Sequence, residues 1–280
     1  MKKFVWTSKK HLMIIVNKLR ITSSVVIDDV ILHHMKWVEN DLLNYPNLDI
    51  KWIKRKKQTI KQLFQNDNTP LIVIEHTGPK LYFSPIDKIF YHENTSRVKL
   101  KNIANHHQLP PLISCINKNK DDAFEFVDCT TGLGNDLTLV AKYYTQSSII
   151  AFEKDIYTHL IVKWGIYFYD KVLYDRIKFI YGSIQDVDKN VFEADVIYLD
   201  PFYEETVDVS NINVLVNHVR NEGYKEDNDT LMSYLIQFMR HKLILRGHYQ
   251  SDLFIKYPFE RLIQKRSKTH YGVINKKKDA

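Results

Sequence analysis

Glycine, proline and cysteine are scarce in this chain. Glycine and proline each number eight in 280 residues, which argues against long flexible linkers. The two cysteines, Cys115 and Cys129, have a spacing that fits no metal motif. A disulfide between them is not expected, so we predict a reducing, cytoplasmic location.

Long hydrophobic runs are missing as well. A membrane span needs roughly 18 consecutive apolar residues, and no segment approaches that length. The apolar run at residues 12–16 is too short for a secretory signal. We therefore expect a soluble protein with no membrane partner.

Several catalytic signatures are also absent. The 12 histidines show no H-E-x-x-H or other ligand spacing, so no metal site is predicted. There is no G-x-S-x-G, which removes support for a hydrolase. There is no G-K-[ST], which removes the P-loop interpretation.

Positive charge, by contrast, is in excess. Lys and Arg number 40 against 33 Asp and Glu, a formal net charge of +7. This balance favours a polyanionic partner such as nucleic acid, although many proteins simply have basic surfaces. Two regions could hold a phosphate backbone or be solvated faces: Lys51, Lys54, Arg55, Lys56, Lys57 and Lys61 around Trp52, and Arg261, Lys265, Arg266, Lys268 and His270.

From residue 124 onward, apolar strand-like runs alternate with helix-like runs. This alternation predicts an α/β fold with a doubly wound, mostly parallel, Rossmann-like sheet. The last two strand-like segments, 259–265 and 271–275, are expected to pair antiparallel at its edge, making seven strands. The other predicted strands are 124–128, 148–153, 177–182, 195–200 and 241–247, and the predicted helices are 137–144, 156–169 and 229–240.

The first part of the chain has a different pattern, which predicts a small N-terminal α/β lobe over residues 1–85 and a main domain over 86–280. Residues 4–7 resemble a short strand, and 12–19 are apolar enough for a packed helix. Residues 50–64 predict an amphipathic helix with a basic face. Residues 71–84 predict a β-hairpin turned at 77–80.

The sequence DCTTGLGND, residues 128–136, follows the first predicted strand of the main domain and precedes a helix. Gly132 and Gly134 would let the backbone approach a ligand closely. No third glycine follows, which disfavours NAD and FAD and suits a ligand without a pyrophosphate, such as S-adenosylmethionine. A purely structural turn is the alternative. Asp128 is expected near the ligand's amino acid part, and Asp136 either reaches the same end or caps the helix.

The next two strand ends supply further candidates. Glu153 ends the second strand, where a carboxylate can accept both ribose hydroxyls or remain a solvated acid. After the third strand, Ser183 and Ile184 are placed to hold an adenine ring through a backbone N–H and an apolar contact. Asp186 is a second candidate, for the adenine amino group.

The fourth strand ends in Asp200-Pro201-Phe202-Tyr203. An exocyclic amine on a base is a poor nucleophile because its lone pair is delocalised into the ring. The Asp200 carboxylate and a backbone carbonyl next to Pro201 could accept its two hydrogens and aim the lone pair at a methyl group. Tyr203 or Phe202 could stack on the base, or these aromatics could pack into the core. All these candidates fall at the carboxyl ends of parallel strands, where such folds bind ligands.

These motifs resemble the small-subunit ribosomal RNA guanine-N2 methyltransferases. DCTTGLGND is similar to that family's D-A-T-A-G-L-G-R-D, and VIYLDPFY to its V-Y-L-D-P-M-F. RHKLILRG and the later QKRSKTHYGVI are similar to its closing segments. Asn135 replaces a basic residue of the family pattern, and Phe202 replaces Met.

The resemblance implies a class I methyltransferase that uses S-adenosylmethionine. We expect catalytic roles for Asp200, Pro201 and Tyr203. The expected acceptor-binding residues are Phe202, Tyr203, Arg246, Lys268 and His270. The expected donor-binding residues are Asp128, Thr131, Gly132, Gly134, Asn135, Asp136, Glu153, Lys154, Ser183, Ile184 and Asp200.

The predicted function is methyl transfer to an exocyclic nitrogen of an RNA base, with ribosomal RNA as the expected target. Three alternatives stay open: an acceptor that is DNA adenine or protein, a non-catalytic RNA-binding protein with the same fold, and a nicotinamide-dependent oxidoreductase, which the missing third glycine disfavours.

Overall fold

The computed structural model describes residues 17–186, 194–201, 214, 228–265 and 267–276, side chains of Phe238 excepted. Over these residues the chain forms a seven-stranded sheet and a five-stranded sheet, both flanked by helices. The predicted strand at 4–7 and most of the predicted helix at 12–19 lie outside the described residues. None of the described helices is both long enough and apolar enough to span a bilayer.

The larger sheet confirms the predicted α/β architecture. Its strand order is β11-β12-β10-β9-β6-β7-β8, parallel except where β12 pairs antiparallel with β10 and β11. The edge pair predicted near the C-terminus is therefore correct. The strands are β6 Glu125–Asp128, β7 Ser148–Glu153, β8 Ile177–Tyr181, β9 Ala194–Leu199, β10 Met239–His248, β11 Glu260–Leu262 and β12 Thr269–Asn275.

Buried apolar side chains cover both faces of this sheet. In β9, for example, Val196 and Tyr198 join one core cluster while Ile197 and Leu199 join the other. Because both faces are covered, a strand here is apolar at almost every position, which is the pattern that predicted a parallel sheet.

Helices connect the parallel strands. The helix α5, Asn135–Tyr143, follows β6, and α6, Ile156–Tyr169, follows β7. Asp155 caps α6 by accepting the backbone N–H of Thr158 at 2.7 Å. The remaining helices of this part are α3 Asn94–His106, α4 Pro111–Ile116, α7 Lys171–Tyr174, α8 Asn228–Phe238 and α9 Leu253–Lys256.

The order in which strands are added to the sheet reverses between β6 and β9. From β6 the strands run outward through β7 to β8, whereas β9 lies on the other side of β6 and leads to β10. In open α/β sheets the crevice for a ligand lies at this switch point, outside the carboxyl ends of the strands.

The smaller sheet has the order β2-β1-β3-β4-β5. The hairpin of β3 and β4 confirms the one predicted at 71–84. The strands are β1 Asn17–Ser23, β2 Leu48–Trp52, β3 Leu71–Glu75, β4 Gly78–Tyr82 and β5 Lys88–Ile89, and the helices are α1 Asp29–Leu42 and α2 Ile60–Leu63.

The helix predicted over 50–64 is wrong. Ile50–Trp52 belong to β2, which pairs parallel with β1, and only Ile60–Leu63 are helical. Between them Lys56 and Lys57 have positive φ angles of 45° and 63°, which an α-helix cannot contain. The end of the predicted helix at 12–19 is also wrong, because Asn17–Leu19 begin β1.

A buried polar network joins the two parts of the molecule. Asp41 of α1 accepts a hydrogen bond from Lys163 Nζ at 2.6 Å and another from Trp164 Nε1 at 2.8 Å, both on α6. Tyr45 Oη lies 2.8 Å from Nε2 of His159, which is almost fully buried. Burial and the neighbouring Lys163 lower the pKa of His159 to about 3, so its ring is neutral.

The smaller sheet includes β5 at Lys88–Ile89, just beyond residue 85, where we predicted the lobe to end. Division of the chain into two domains at this point stays a prediction.

Candidate active site

The predicted site residues meet at one edge of the larger sheet. Asp128, Glu153 and Asp200 stand at or directly after the carboxyl ends of β6, β7 and β9, which are parallel neighbours. Ser183 follows β8 on the same edge. In β10, Leu245 pairs with Leu199, which places Arg246 beside Asp200.

The turn after β6 requires its two glycines. Gly132 and Gly134 have φ angles of 51° and 74°, in the region that L side chains rarely adopt. A Cβ on Gly134 would lie 2.8 Å from Cγ1 of Val162 in α6. Gly134 thus allows the turn to pack against α6, and α5 starts directly after it.

Glu153 holds this turn from the neighbouring strand. Its carboxylate accepts the backbone N–H of Gly132 through Oε2 and that of Asp155 through Oε1, each at 2.9 Å. Burial raises the pKa of Glu153 to about 7, although these two hydrogen bonds favour the charged form. Each carboxylate oxygen retains a further lone pair that can accept a hydroxyl group.

Two buried side-chain oxygens in the turn are left for a ligand. Thr131 Oγ1 and Asn135 Oδ1 are inaccessible to solvent and have no hydrogen-bond partner among the described residues. An unsatisfied buried polar atom costs about 1–3 kcal/mol, so such atoms indicate a missing partner. With the Glu153 carboxylate close by, this turn fits a polar ligand bearing hydroxyl and amino groups.

Asp128 and Thr130 connect the turn to the next strand end. Asp128, 1% exposed, accepts the backbone N–H of Thr130 at 3.0 Å. Burial raises the pKa of Asp128 well above its ordinary value. The Thr130 hydroxyl in turn accepts the backbone N–H of Asp200 at 2.8 Å. This hydrogen bond links the turn predicted to bind the methyl donor to the strand end predicted to bind the acceptor.

Asp200 forms an ion pair with Arg246. Arg246 Nη1 donates to Asp200 Oδ2 at 2.6 Å and also lies 3.6 Å from Asp136 Oδ2. Burial raises the pKa of Asp200 to about 6, opposed by Arg246 and reinforced by Asp136. The attraction of Asp200 raises the pKa of Arg246 further above its ordinary value, so the guanidinium stays charged.

Asp136 belongs to the same network. It accepts hydrogen bonds from Lys99 Nζ at 2.7 Å and from the Tyr198 hydroxyl at 2.9 Å. Burial opposes its ionisation, but Lys99 and Arg246 outweigh burial and lower its pKa. Helix capping was one of the two roles predicted for Asp136, but its side chain does not cap α5.

The turn after β8 is organised by Asp186. Its carboxylate accepts the backbone N–H of Ser183 at 3.0 Å, while Ile184 is buried. The backbone N–H of Ser183, one of the two residues predicted to hold adenine, therefore already has a protein partner. Lys154 is half-buried in the turn after β7.

The remaining predicted residues lie next to this cluster, apart from it or outside the described part. Phe202 and Tyr203 fall outside the described residues, and Pro201 is buried directly after Asp200. Lys268 is exposed, and His270 is buried at the start of β12. Sequence reasoning missed Lys99, Thr130 and Tyr198. Of these, Thr130 lies within the glycine motif itself, a signal that could have revealed it.

Comparison with known proteins agrees with this topology. A Neisseria gonorrhoeae protein, a SAM-dependent methyltransferase, superposes with a TM-score of 0.53 at 16% identity, covering 91% of this chain and 95% of that one. The chain has the Rossmann-like methyltransferase fold. No protein-family model matches. The uncharacterized protein YpiP of Bacillus subtilis (strain 168) is 23% identical over 237 residues, 81% of this chain and 90% of YpiP.

Proposed function

We propose that this protein is an S-adenosylmethionine-dependent methyltransferase that methylates an exocyclic amino nitrogen of a base in RNA, ribosomal RNA being the first substrate to test. The observation that carries the proposal is the hydrogen bond from Asp200 N–H to Thr130 Oγ1, at 2.8 Å. It fixes an acid-proline corner against a glycine turn that suits a nucleoside-like donor.

The donor would occupy the crevice outside β6 and β7. The Glu153 carboxylate, already fixed by Gly132 and Asp155, would accept the ribose hydroxyls. The unpartnered oxygens of Thr131 and Asn135 would accept hydrogens from the ligand, its ammonium group for example. When bound, S-adenosylmethionine supplies an electrophilic methyl group on a positively charged sulfur.

The acceptor would lie beside Asp200. One carboxylate oxygen, Oδ2, is held by Arg246, which leaves Oδ1 to accept a hydrogen from an amine. A carboxylate fixed in this way would orient the amine and stabilise the positive charge that develops on its nitrogen. Asp200 needs to be ionised for this role.

RNA as the acceptor is supported by the excess of positive charge and by the resemblance of the motifs to guanine-N2 methyltransferases of ribosomal RNA. The Neisseria methyltransferase supports a methyl donor for this fold and carries no information on the acceptor.

The test is transfer of tritium from methyl-labelled S-adenosylmethionine to RNA, DNA and protein fractions of a cell extract. We expect label in RNA, in a nucleoside that carries the methyl group on its exocyclic nitrogen. Label confined to DNA or protein would overturn the acceptor assignment. RNA binding with no affinity for the donor would indicate the non-catalytic alternative instead.

A further inference from the structure

We propose that the loops around Tyr249 form a docking platform for single-stranded RNA next to the acceptor site. The proposal rests on the proposed function, because it names where the acceptor chain would bind. It concerns Tyr249 together with His248, Arg261, Lys265, Lys268 and His270, which we call the Tyr249 platform.

The platform lies at the same sheet edge as Asp200. β10 runs parallel to β9, and Arg246 beside Asp200 is followed by His248 at the end of the strand. A strand rises about 3.3 Å per residue, so Tyr249 follows Arg246 by about 10 Å. β12 runs antiparallel and begins here, since His248 pairs with Thr269. A nucleotide next to a base bound at Asp200 would therefore reach Tyr249.

Tyr249 offers an aromatic face in a fixed position. Its side chain is 42% exposed, and its ring centroid lies 4.6 Å from that of His248 and 6.0 Å from that of His270. Its backbone is held at both polar groups: the N–H donates to the Lys268 carbonyl at 2.9 Å, and the carbonyl accepts from Arg261 Nη2 at 2.7 Å. An aromatic ring presented in this way is suited to stacking on an unpaired base.

The layer beneath Tyr249 is closely packed. Arg261 also contacts His270 Nδ1 at 3.0 Å and lies over the ring of Phe254 at 4.6 Å. Phe254 packs so closely against β12 that a Cβ on Gly272 would lie 2.7 Å from its Cε1. Arg261 therefore positions the platform, and among the described residues the exposed Lys265 and Lys268 are free to face a phosphate backbone.

Charge in this region has the sign that RNA requires. Residues 248–270 contain five Lys or Arg against two Asp or Glu. The other basic region starts at Lys51 and Trp52 in the edge strand β2 of the smaller sheet and continues through the following loop to α2, so it has no strand in common with Asp200. If the platform binds RNA, substitution of Tyr249 should weaken binding and substitution of Trp52 should not. Trp52 therefore provides a matched control.

The experiment measures binding of a fluorescein-labelled, mixed-sequence single-stranded RNA to the full chain at two salt concentrations. Loss of base stacking costs about 1–3 kcal/mol, so Tyr249→Ala should weaken binding about 5- to 150-fold. Tyr249→Phe, which keeps the ring, should bind like the wild type. The double substitution of Lys265→Ala and Lys268→Ala should make the slope of log K against log salt concentration shallower, by about 0.7 for each phosphate contact that is lost. Trp52→Ala should have no effect.

Binding by Tyr249→Ala equal to the wild type would overturn the platform, as would a larger loss in Trp52→Ala or tighter binding of duplex than of single-stranded RNA. Methyl transfer and donor affinity are measured in parallel. If the wild type transfers methyl to RNA and Tyr249→Ala does so equally well, the platform fails and the proposed function stands. If RNA binding depends on Tyr249 but no donor binds, the proposed function fails and the platform stands.

Discussion

Glu153 at the end of β7 accepts the backbone N–H of Gly132 at 2.9 Å, so the acid of one strand holds the glycine turn that follows its neighbour. The same carboxylate accepts the N–H of Asp155 at the start of α6. A single buried side chain thus fixes both loops that border the proposed donor crevice. This arrangement preorganises the turn before any ligand arrives.

Asp200→Asn should abolish most methyl transfer and lower donor affinity far less. The amide keeps the shape of the carboxylate but loses the negative charge, and removing one such group from a reaction centre costs about 100- to 1,000-fold in kcat. Turnover with labelled donor and calorimetry of donor binding measure the two effects separately.

The matched control for this substitution is Asp195→Asn. Asp195 stands at the opposite end of β9, where it accepts the Glu125 backbone N–H at 2.8 Å. It should retain turnover. Equal rates for wild type and Asp200→Asn would refute the catalytic role of Asp200.

The rate should depend on the ionisation of Asp200. Burial raises the pKa of this carboxyl to about 6, and only its ionised form carries the negative charge that stabilises the positive charge developing on the amine. We expect kcat at saturating donor and acceptor to fall as the pH drops through about 6. A rate that stays constant from pH 7 to pH 5 would contradict this assignment.

The contribution of Glu153 to the free energy of unfolding should fall as the pH rises, whereas kcat should rise. The pKa of Glu153 is about 7 in the folded protein and about 4.3 in an unfolded chain. Between these values the folded state binds more protons, so Glu153 makes the free energy of unfolding fall as the pH rises from about 4 to 7. Urea unfolding across this range should show a smaller decrease for Glu153→Gln than for wild type, and identical pH profiles would exclude the effect.

Gly134→Ala should destabilise the protein by about 2 kcal/mol or more, because the alanine combines a positive φ with a Cβ too close to Val162. Val162→Ala removes that contact but leaves the backbone strain. In a double-mutant cycle, Val162→Ala should therefore cost less in the Gly134→Ala background than in the wild type. Additive free energies of unfolding would show that the contact is relieved by other movements.

The apolar pattern of the sequence predicted the structure best for strands that are buried on both faces. Strands covered on both faces are apolar at nearly every position, so β6 to β10 could be predicted, and with them the shared edge of Asp128, Glu153 and Asp200. Residues 50–64 have apolar positions at helical spacing, yet β2 forms there because pairing with β1 outweighs local helix propensity.

Partners of the site residues could not be predicted in the same way. Lys99 reaches Asp136 from α3, a helix 37 residues earlier in the chain, and Arg246 reaches Asp200 from the neighbouring strand. Such contacts are set by tertiary packing and leave no local spacing in the sequence. Asp136 was ambiguous for this reason, and the ion pair of Arg246 was not expected.

Asp41→Ala should destabilise the whole chain by about 3–5 kcal/mol, because it leaves the buried Lys163 Nζ without its carboxylate. Asp49→Ala, at an exposed position of β2, is the control and should change stability little. We expect one cooperative transition in urea for the wild type and for Asp49→Ala, since Asp41 joins the two parts of the molecule. Two separate transitions in the wild type would instead show that residues 1–85 unfold independently.

Calorimetry with S-adenosylmethionine tests most directly whether the crevice outside β6 and β7 binds this donor. Wild type should bind, Glu153→Ala should lose at least tenfold in affinity, and Glu125→Ala, at the opposite end of β6, should bind like the wild type. Equal affinity for the donor in wild type and Glu153→Ala, or no binding by the wild type, would contradict the account.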